Sequence, residues 1–185
     1  MSRFAFLLAV VLFARASFAQ TTTADFDPYT FETLRPSWGL QISTGSHRSS
    51  SEARRHQGFG LVLDYQALLP ERWGVFGIGP ALTLYPSKKA PLNGYAFGAE
   101  ARYQFHYWGH QWLVPTVSYT VDYLISESSG LRRTPAAGLY FLLNVLDIRT
   151  AGSFYSNYSV KRTYLIAETR FAKEINYFFG LRIEY

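Results

Sequence analysis

Three residues have the types needed for hydrolysis: His106 as a base, Ser118 as a nucleophile and Glu100 as an orienting carboxylate. A base must lie within hydrogen-bond reach of the proton it removes. The spacing works against that here. His106 sits six residues beyond Glu100 on one extended stretch, and Ser118 belongs to the next. The expectation is that no catalytic set forms and that His106 is a buried hydrogen-bonding residue. The chain has 4 histidines and no cysteine. Disulfides, thiolate zinc sites, Cys nucleophiles and a lipid-modified N-terminal Cys are thereby excluded. The histidines have no metal-ligand spacing with acidic partners, so neither metal nor cofactor is expected.

The other chemistry-bearing residues are charges of both signs at alternate positions. Glu100, Arg102, Gln104 and His106 share one face of an alternating stretch, as do Glu168 with Arg170 and Arg182 with Glu184. Gln41, Ser43, Asp64, Gln66, Thr116, Ser118, Thr120, Asp122 and Asn144 fall on comparable faces. If these faces line one enclosed interior, the charges must pair. Glu100, Arg102, Glu168, Arg170, Arg182 and Glu184 are the expected ion-pair network, with Glu168 and Arg170 brought near Arg182 and Glu184. A gated polar pore or a small ligand cavity is the alternative use of the same residues.

The elements that would position them are strands. In the last ten residues Tyr177, Phe179, Leu181, Ile183 and Tyr185 occupy one face, and Phe178, Gly180, Arg182 and Glu184 the other. Residues 95–107 alternate as cleanly, with Tyr95, Phe97, Ala99, Ala101, Tyr103, Phe105 and Tyr107 on one side. That face is aromatic at both ends and small or aliphatic between, as expected of a strand crossing an oily layer between two interfaces. Further strands are expected at 37–46, 57–68, 72–85, 111–124, 135–146 and 160–171, which makes eight. Pro80 and Pro115 each remove a ladder donor and are expected to mark bulges or strand ends. No apolar run outside the N-terminus approaches the ~20 residues of a membrane helix. The mean hydropathy of -0.05 and the aromatic content of 18% suit a wall with one oily and one wet face.

The N-terminus reads as an export signal over 1–19: Arg3, an apolar stretch from Phe4 to Phe13, and small residues at Ser17 and Ala19, with cleavage after Ala19. A membrane anchor is the competing reading, for which the stretch is short. Loss of Arg3 and Arg15 takes the formal charge from +5 to +3, too small a bias to argue for nucleic acid. Residues 20–36 show no clear period and read as a periplasmic leader or a small plug, not as a domain. The links alternate between short ones, near 69–71 and 108–110, and longer polar ones at 47–56, 86–93 and 125–134. The longer set is basic: Arg48, Arg54, Arg55, Lys88, Lys89, Arg132 and Arg133. These are expected in outer loops, either as a solvated rim or against anionic lipopolysaccharide. The link at 147–159 is too long for the short-turn side; a short helix or irregular plug there would reconcile it, and a strand count other than eight is the alternative explanation.

The export signal, the aromatic-rich alternating strands and the closing Tyr177-x-Phe179-x-Leu181-x-Ile183-x-Tyr185 resemble a small bacterial outer-membrane β-barrel of the OmpA/OmpX type. The likeness is one of pattern, over 37–185. It implies an all-β fold: an antiparallel transmembrane β-barrel of about eight strands in meander order, porin-like in architecture. It implies that the terminal strand is the signal read by the barrel assembly machinery. The expected function is a monomeric, non-enzymatic barrel with a structural or surface-interaction role, a side-chain-filled lumen and outer loops on lipopolysaccharide. A narrow pore or transporter for small solutes is the alternative, and a lipid A-modifying barrel enzyme a further one.

Overall fold

A computed structural model describes residues 38–48, 55–68, 74–86, 94–108, 111–126, 129–172 and 175–185. The expected export signal and leader, with Arg54, Lys88 and Lys89, lie outside the described residues. Eight strands run in chain order: β1 (Trp38–Arg48), β2 (Arg55–Leu68), β3 (Val75–Tyr85), β4 (Gly94–Gln104), β5 (Leu113–Ile125), β6 (Gly130–Leu142), β7 (Arg162–Phe171) and β8 (Ile175–Glu184). Each pairs antiparallel with its neighbours, and β8 returns to β1 to close the barrel. Closure gives every strand two partners and leaves no edge. The seam is sealed beyond the ladder, because Tyr185 N–H donates to the Trp38 carbonyl at 2.9 Å. A single turn of 3-10 helix (Leu143–Val145) and a helix, α1 (Ile148–Tyr158), link β6 to β7.

Alternation of side chains along each strand sorts the residues into two populations, and the usual polarity is inverted. Among the described residues, 18 polar or charged residues are buried against 14 apolar ones, while 30 large apolar side chains are exposed. The buried polar groups point into the barrel. Most of the exposed apolar ones form its outer wall, including Ile42, Leu63, Ile78, Phe97, Val117, Leu139, Leu165 and Phe179. Aromatic pairs sit where strands end: Trp38 on Tyr65 at 5.1 Å, and Trp112 on Phe141 at 5.5 Å. No helix among the described residues is long and apolar enough to cross a membrane.

Two expectations need correction. The sixth strand covers Gly130–Leu142 rather than 135–146. Its polar start at Arg132-Arg133-Thr134 looks like loop, but Arg132 and Thr134 face inward and Leu131 and Arg133 outward, so the period of two continues through it. Its expected end is helical, because Asn144 turns into the protein, accepting from Thr163 N–H at 2.7 Å and donating to the Lys161 carbonyl at 3.3 Å. Pro80 makes no bulge. The ladder between β2 and β3 pairs Val62 with Ala81 and Tyr65 with Ile78, an unshifted register with two pairs missing between them. The missing donor interrupts the ladder without displacing it.

Candidate functional site: the barrel lumen

The inward faces build a layered polar interior. Its centre is Arg182 on β8, whose Nη1 and Nη2 donate to the two oxygens of Asp64 on β2, at 2.9 and 2.7 Å. The same guanidinium donates from Nε to Glu184 Oε1 at 2.9 Å. That oxygen also accepts from Gln66 at 2.9 Å and Gln104 at 2.7 Å. One level away, Arg102 pairs with Glu100, lies 3.6 Å from Asp64 and reaches within 3.9 Å of Glu168. Glu168 accepts from Arg170 Nε at 2.6 Å, and Thr120 donates to Glu100 at 3.1 Å. Arg162, also buried, stands opposite Glu184 in the register of β7 and β8. This central part of the interior therefore holds four carboxylates (Asp64, Glu100, Glu168, Glu184) and four guanidiniums (Arg102, Arg162, Arg170, Arg182) among the described residues, and Asp122 with Arg132 adds one more of each sign nearer the other end. Charge balance of this kind is what lets ions survive in a low dielectric.

Apolar and aromatic side chains also line the interior. Val114, Tyr140, Leu142, Tyr164 and Ile166 form a buried cluster on the inner faces of β5 to β7. Tyr140 donates to Gln41 at 3.0 Å, and Arg102 lies 5.5 Å from its ring centroid. Arg170 lies 4.3 Å from the Phe178 ring centroid, a cation–π distance. Crowding shows at Gly39, where an added Cβ would collide with the Arg182 guanidinium. Glycine is the residue that lets the central arginine fit.

The six residues expected as one network are all buried and linked by ion pairs, with Asp64 bridging Arg102 to Arg182, but Glu168 and Arg170 do not bond Arg182 and Glu184 directly. Glu168 bonds Arg170, and Arg182 bonds Glu184, each within its own strand. The register explains why: Glu168 faces Phe178, and Arg182 faces Tyr164. The partner of Arg182 across strands is Asp64, which reading strands singly places in the lumen without assigning it a role. Arg162, Tyr140 and Tyr164 were not anticipated. Their signal was the phase of β6 and β7, since Arg162, Tyr164, Ile166, Glu168 and Arg170 are spaced by two.

The basic residues expected in outer loops separate. Arg132 is a lumen residue of β6, correcting its loop assignment. It holds Asp122 through two bonds of 2.9 and 2.8 Å and donates to the Tyr85 hydroxyl at 2.9 Å. Arg133 also lies on β6, exposed on the outer face. Arg48 and Arg55 are the end residues of β1 and β2 and pair with each other in the ladder. On β8, Tyr177, Phe179 and Leu181 are exposed on the outer wall with Ile183 on the same face, and Tyr185 follows at the seam.

The candidate catalytic residues stay apart. Ser118 stands opposite Arg102 in the ladder, which ends at Gln104 opposite Thr116. Phe105 N–H still reaches the Pro115 carbonyl at 2.9 Å. Continuing that register puts His106 level with Val114, four residues or ~13 Å along the strand from Ser118. Glu100 is held by Arg102 and Thr120. His106 Nε2 lies 3.0 Å from Gln104 Oε1, so the neutral ring donates there. Burial, with Arg162 nearby, lowers its pKa to about 3, against the pull of Glu184. No group of three His, Cys, Asp or Glu among the described residues could hold a metal. Comparisons with protein-family models, with curated proteins and with solved structures return no match.

Proposed function

We propose that the protein is a bacterial outer-membrane barrel of the small OmpA/OmpX type, exported with cleavage after Ala19 and inserted by the barrel assembly machinery through its terminal strand. It acts as a structural or surface-interaction element rather than as an enzyme or a channel. The observation that carries this reading is the inverted polarity: an apolar, aromatic-ended wall outside and balanced ions inside. Exposed apolar area on this scale is untenable for a monomer in water. In a bilayer it is the required surface, and a closed barrel is one of the two ways to satisfy every backbone group there.

A filled lumen favours an anchor over a pore. Eight strands leave room for little beyond side chains, and Arg102, Arg182, Glu100 and Glu184 occupy that room. Arg48 and Arg55 close β1 and β2 at one end of the barrel, and Arg133 lies three residues from that end of β6 on the outer face. Guanidiniums suit phosphate, so this end is assigned to the lipopolysaccharide leaflet. The turn end then faces the periplasm.

Expression of the full chain in a Gram-negative host tests the reading. The protein should fractionate with outer membranes, shift in gel mobility on boiling and give no discrete conductance steps in planar bilayers. Recovery in the soluble periplasm with no heat-dependent shift overturns the membrane assignment. Reproducible conductance steps overturn the filled lumen and favour a narrow solute pore.

A further inference from the structure

The helix between β6 and β7 has no role in closing the barrel, yet its surface is patterned. From 143 to 161 the charged residues are Asp147, Arg149 and Lys161 alone. Asp147 caps α1, accepting from Thr150 N–H at 3.0 Å and from its hydroxyl at 2.7 Å. Ala151 and Gly152 are buried, and Tyr155 packs against Ala151. On one flank Phe154 and Tyr158, one turn apart, are both exposed with ring centroids 5.9 Å apart. Leu146 and Ile148 are exposed just ahead of them. Arg149, Ser153 and Asn157, again one turn apart, are exposed on the opposite flank.

The apolar flank is continuous in kind with the barrel wall. At the same end of the barrel, Tyr107, Trp108 and Trp112 are exposed. Trp112 rests on Phe141, and its carbonyl accepts from Leu142 N–H at 2.8 Å, where β6 gives way to the helical link. Asn144 ties the return of that link to the start of β7. Apolar and aromatic surface thus runs off the wall, past the strand ends and onto α1.

We propose that α1 is an interfacial helix. It lies at the headgroup–acyl boundary of the leaflet at the turn end, with Leu146, Ile148, Phe154 and Tyr158 among the phospholipid chains and Arg149, Ser153 and Asn157 toward water. A helix with an apolar flank and a separate polar flank, here carrying Arg149, has the segregated surface of an in-plane membrane helix. Tyr and Trp at its borders suit the same depth. This rests on the membrane reading above and adds the site's occupant, phospholipid. The long link on the short-turn side thereby fixes the depth and rotation of the barrel in the bilayer.

The chain has no cysteine, so single-cysteine labels are unambiguous. Nitroxides at Phe154→Cys, Tyr158→Cys, Ser153→Cys and Asn157→Cys, with Leu139→Cys on the wall as control, are compared in phosphatidylethanolamine/phosphatidylglycerol vesicles. Collision with oxygen is measured against collision with a water-soluble nickel chelate. The oxygen-to-nickel ratio at 154 and 158 should exceed that at 153 and 157 several-fold and approach the Leu139 value. Suppose Leu139 reports lipid while 154 and 158 meet nickel as freely as 153 and 157, or are shielded from both reagents by a protein partner. Then the interfacial helix is overturned and the membrane reading stands. If Leu139 itself reports water, both fall.

Discussion

Replacing Arg182 with Met tests whether the lumen is held by paired ions. Arg182 is fully buried and makes both strong bonds to Asp64, at 2.7 and 2.9 Å. Its other partner is better insured, because Glu184 keeps Gln66 at 2.9 Å and Gln104 at 2.7 Å. Asp64 keeps only a 3.5 Å contact from Gln66 and Arg102 at 3.6 Å. The loss therefore concentrates on one carboxylate stranded in the interior. Breaking a buried pair by removing one partner costs ~3–5 kcal/mol, about two to nearly four orders of magnitude in the folding equilibrium constant. Removing both partners, in Asp64→Leu with Arg182→Met, keeps the lumen neutral and should restore at least ~2 kcal/mol relative to the summed single costs.

The measurement is reversible urea unfolding in phospholipid vesicles, followed by tryptophan emission. Trp38, Trp108 and Trp112 are exposed at the turn end of the barrel and would move from lipid to water. Because the pair is shielded from solvent, the cost of Arg182→Met should be nearly the same at about 0.1 and about 1 M salt. A cost below ~1 kcal/mol, additive effects in the double variant, or loss of the effect at high salt would each refute a dry, paired interior.

The remaining expectations probe the wall and the turn end. Ala99→Arg, at the centre of β4 on the outer face, should destabilise the barrel in vesicles by ~2–4 kcal/mol; a neutral result in the urea assay argues against lipid at that position. His106 has a folded pKa lowered to about 3 from an ordinary value of 6.5. Its contribution is thus complete above pH ~6.5 and is lost as pH falls from there toward 3, because the unfolded chain takes the proton first. Acidification over that window should destabilise the protein by an amount on the order of a few kcal/mol, and His106→Gln should flatten this part of the pH profile. Asp147→Ala removes the α1 cap, so amide exchange at Thr150 and Ala151 should quicken while exchange in β6 and β7 stays unchanged.

The eight strands and their meander order were legible because alternation is a local signal. Each strand announces itself, and β8, ending at Glu184 before the final Tyr185, does so most clearly. What was not legible depended on neighbours. Arg132 and Arg133 read as loop because two adjacent cations carry no hydrophobic alternation. Only the pairing of Asp122 with Arg132 in the ladder of β5 and β6 shows that one faces in and the other out. The end of β6 was missed for a similar reason: Leu143 and Val145 keep the period, and it is the tertiary bonds of Asn144 to β7 that turn the chain into a helix.

The lumen pairs were the least legible part, and the geometry says why. A period of two assigns a residue to the inside but leaves its partner open, since an enclosed bore brings every inward side chain within reach of several strands. Arg182 could equally have served Glu168 had the register of β7 and β8 been shifted; as it stands, Tyr164 occupies the facing position. Asp64 wins that role because β1, lying between β2 and β8, contributes Gly39 at the point where the guanidinium crosses. A sequence reading that treated inward glycines as the places where long side chains pass would have pointed to this pair. Gly39→Ala therefore tests the same network from the backbone side: it should lower stability most while Arg182 is present, and cost less in the Arg182→Met background, where only the Asp64 carboxylate still crowds the new Cβ.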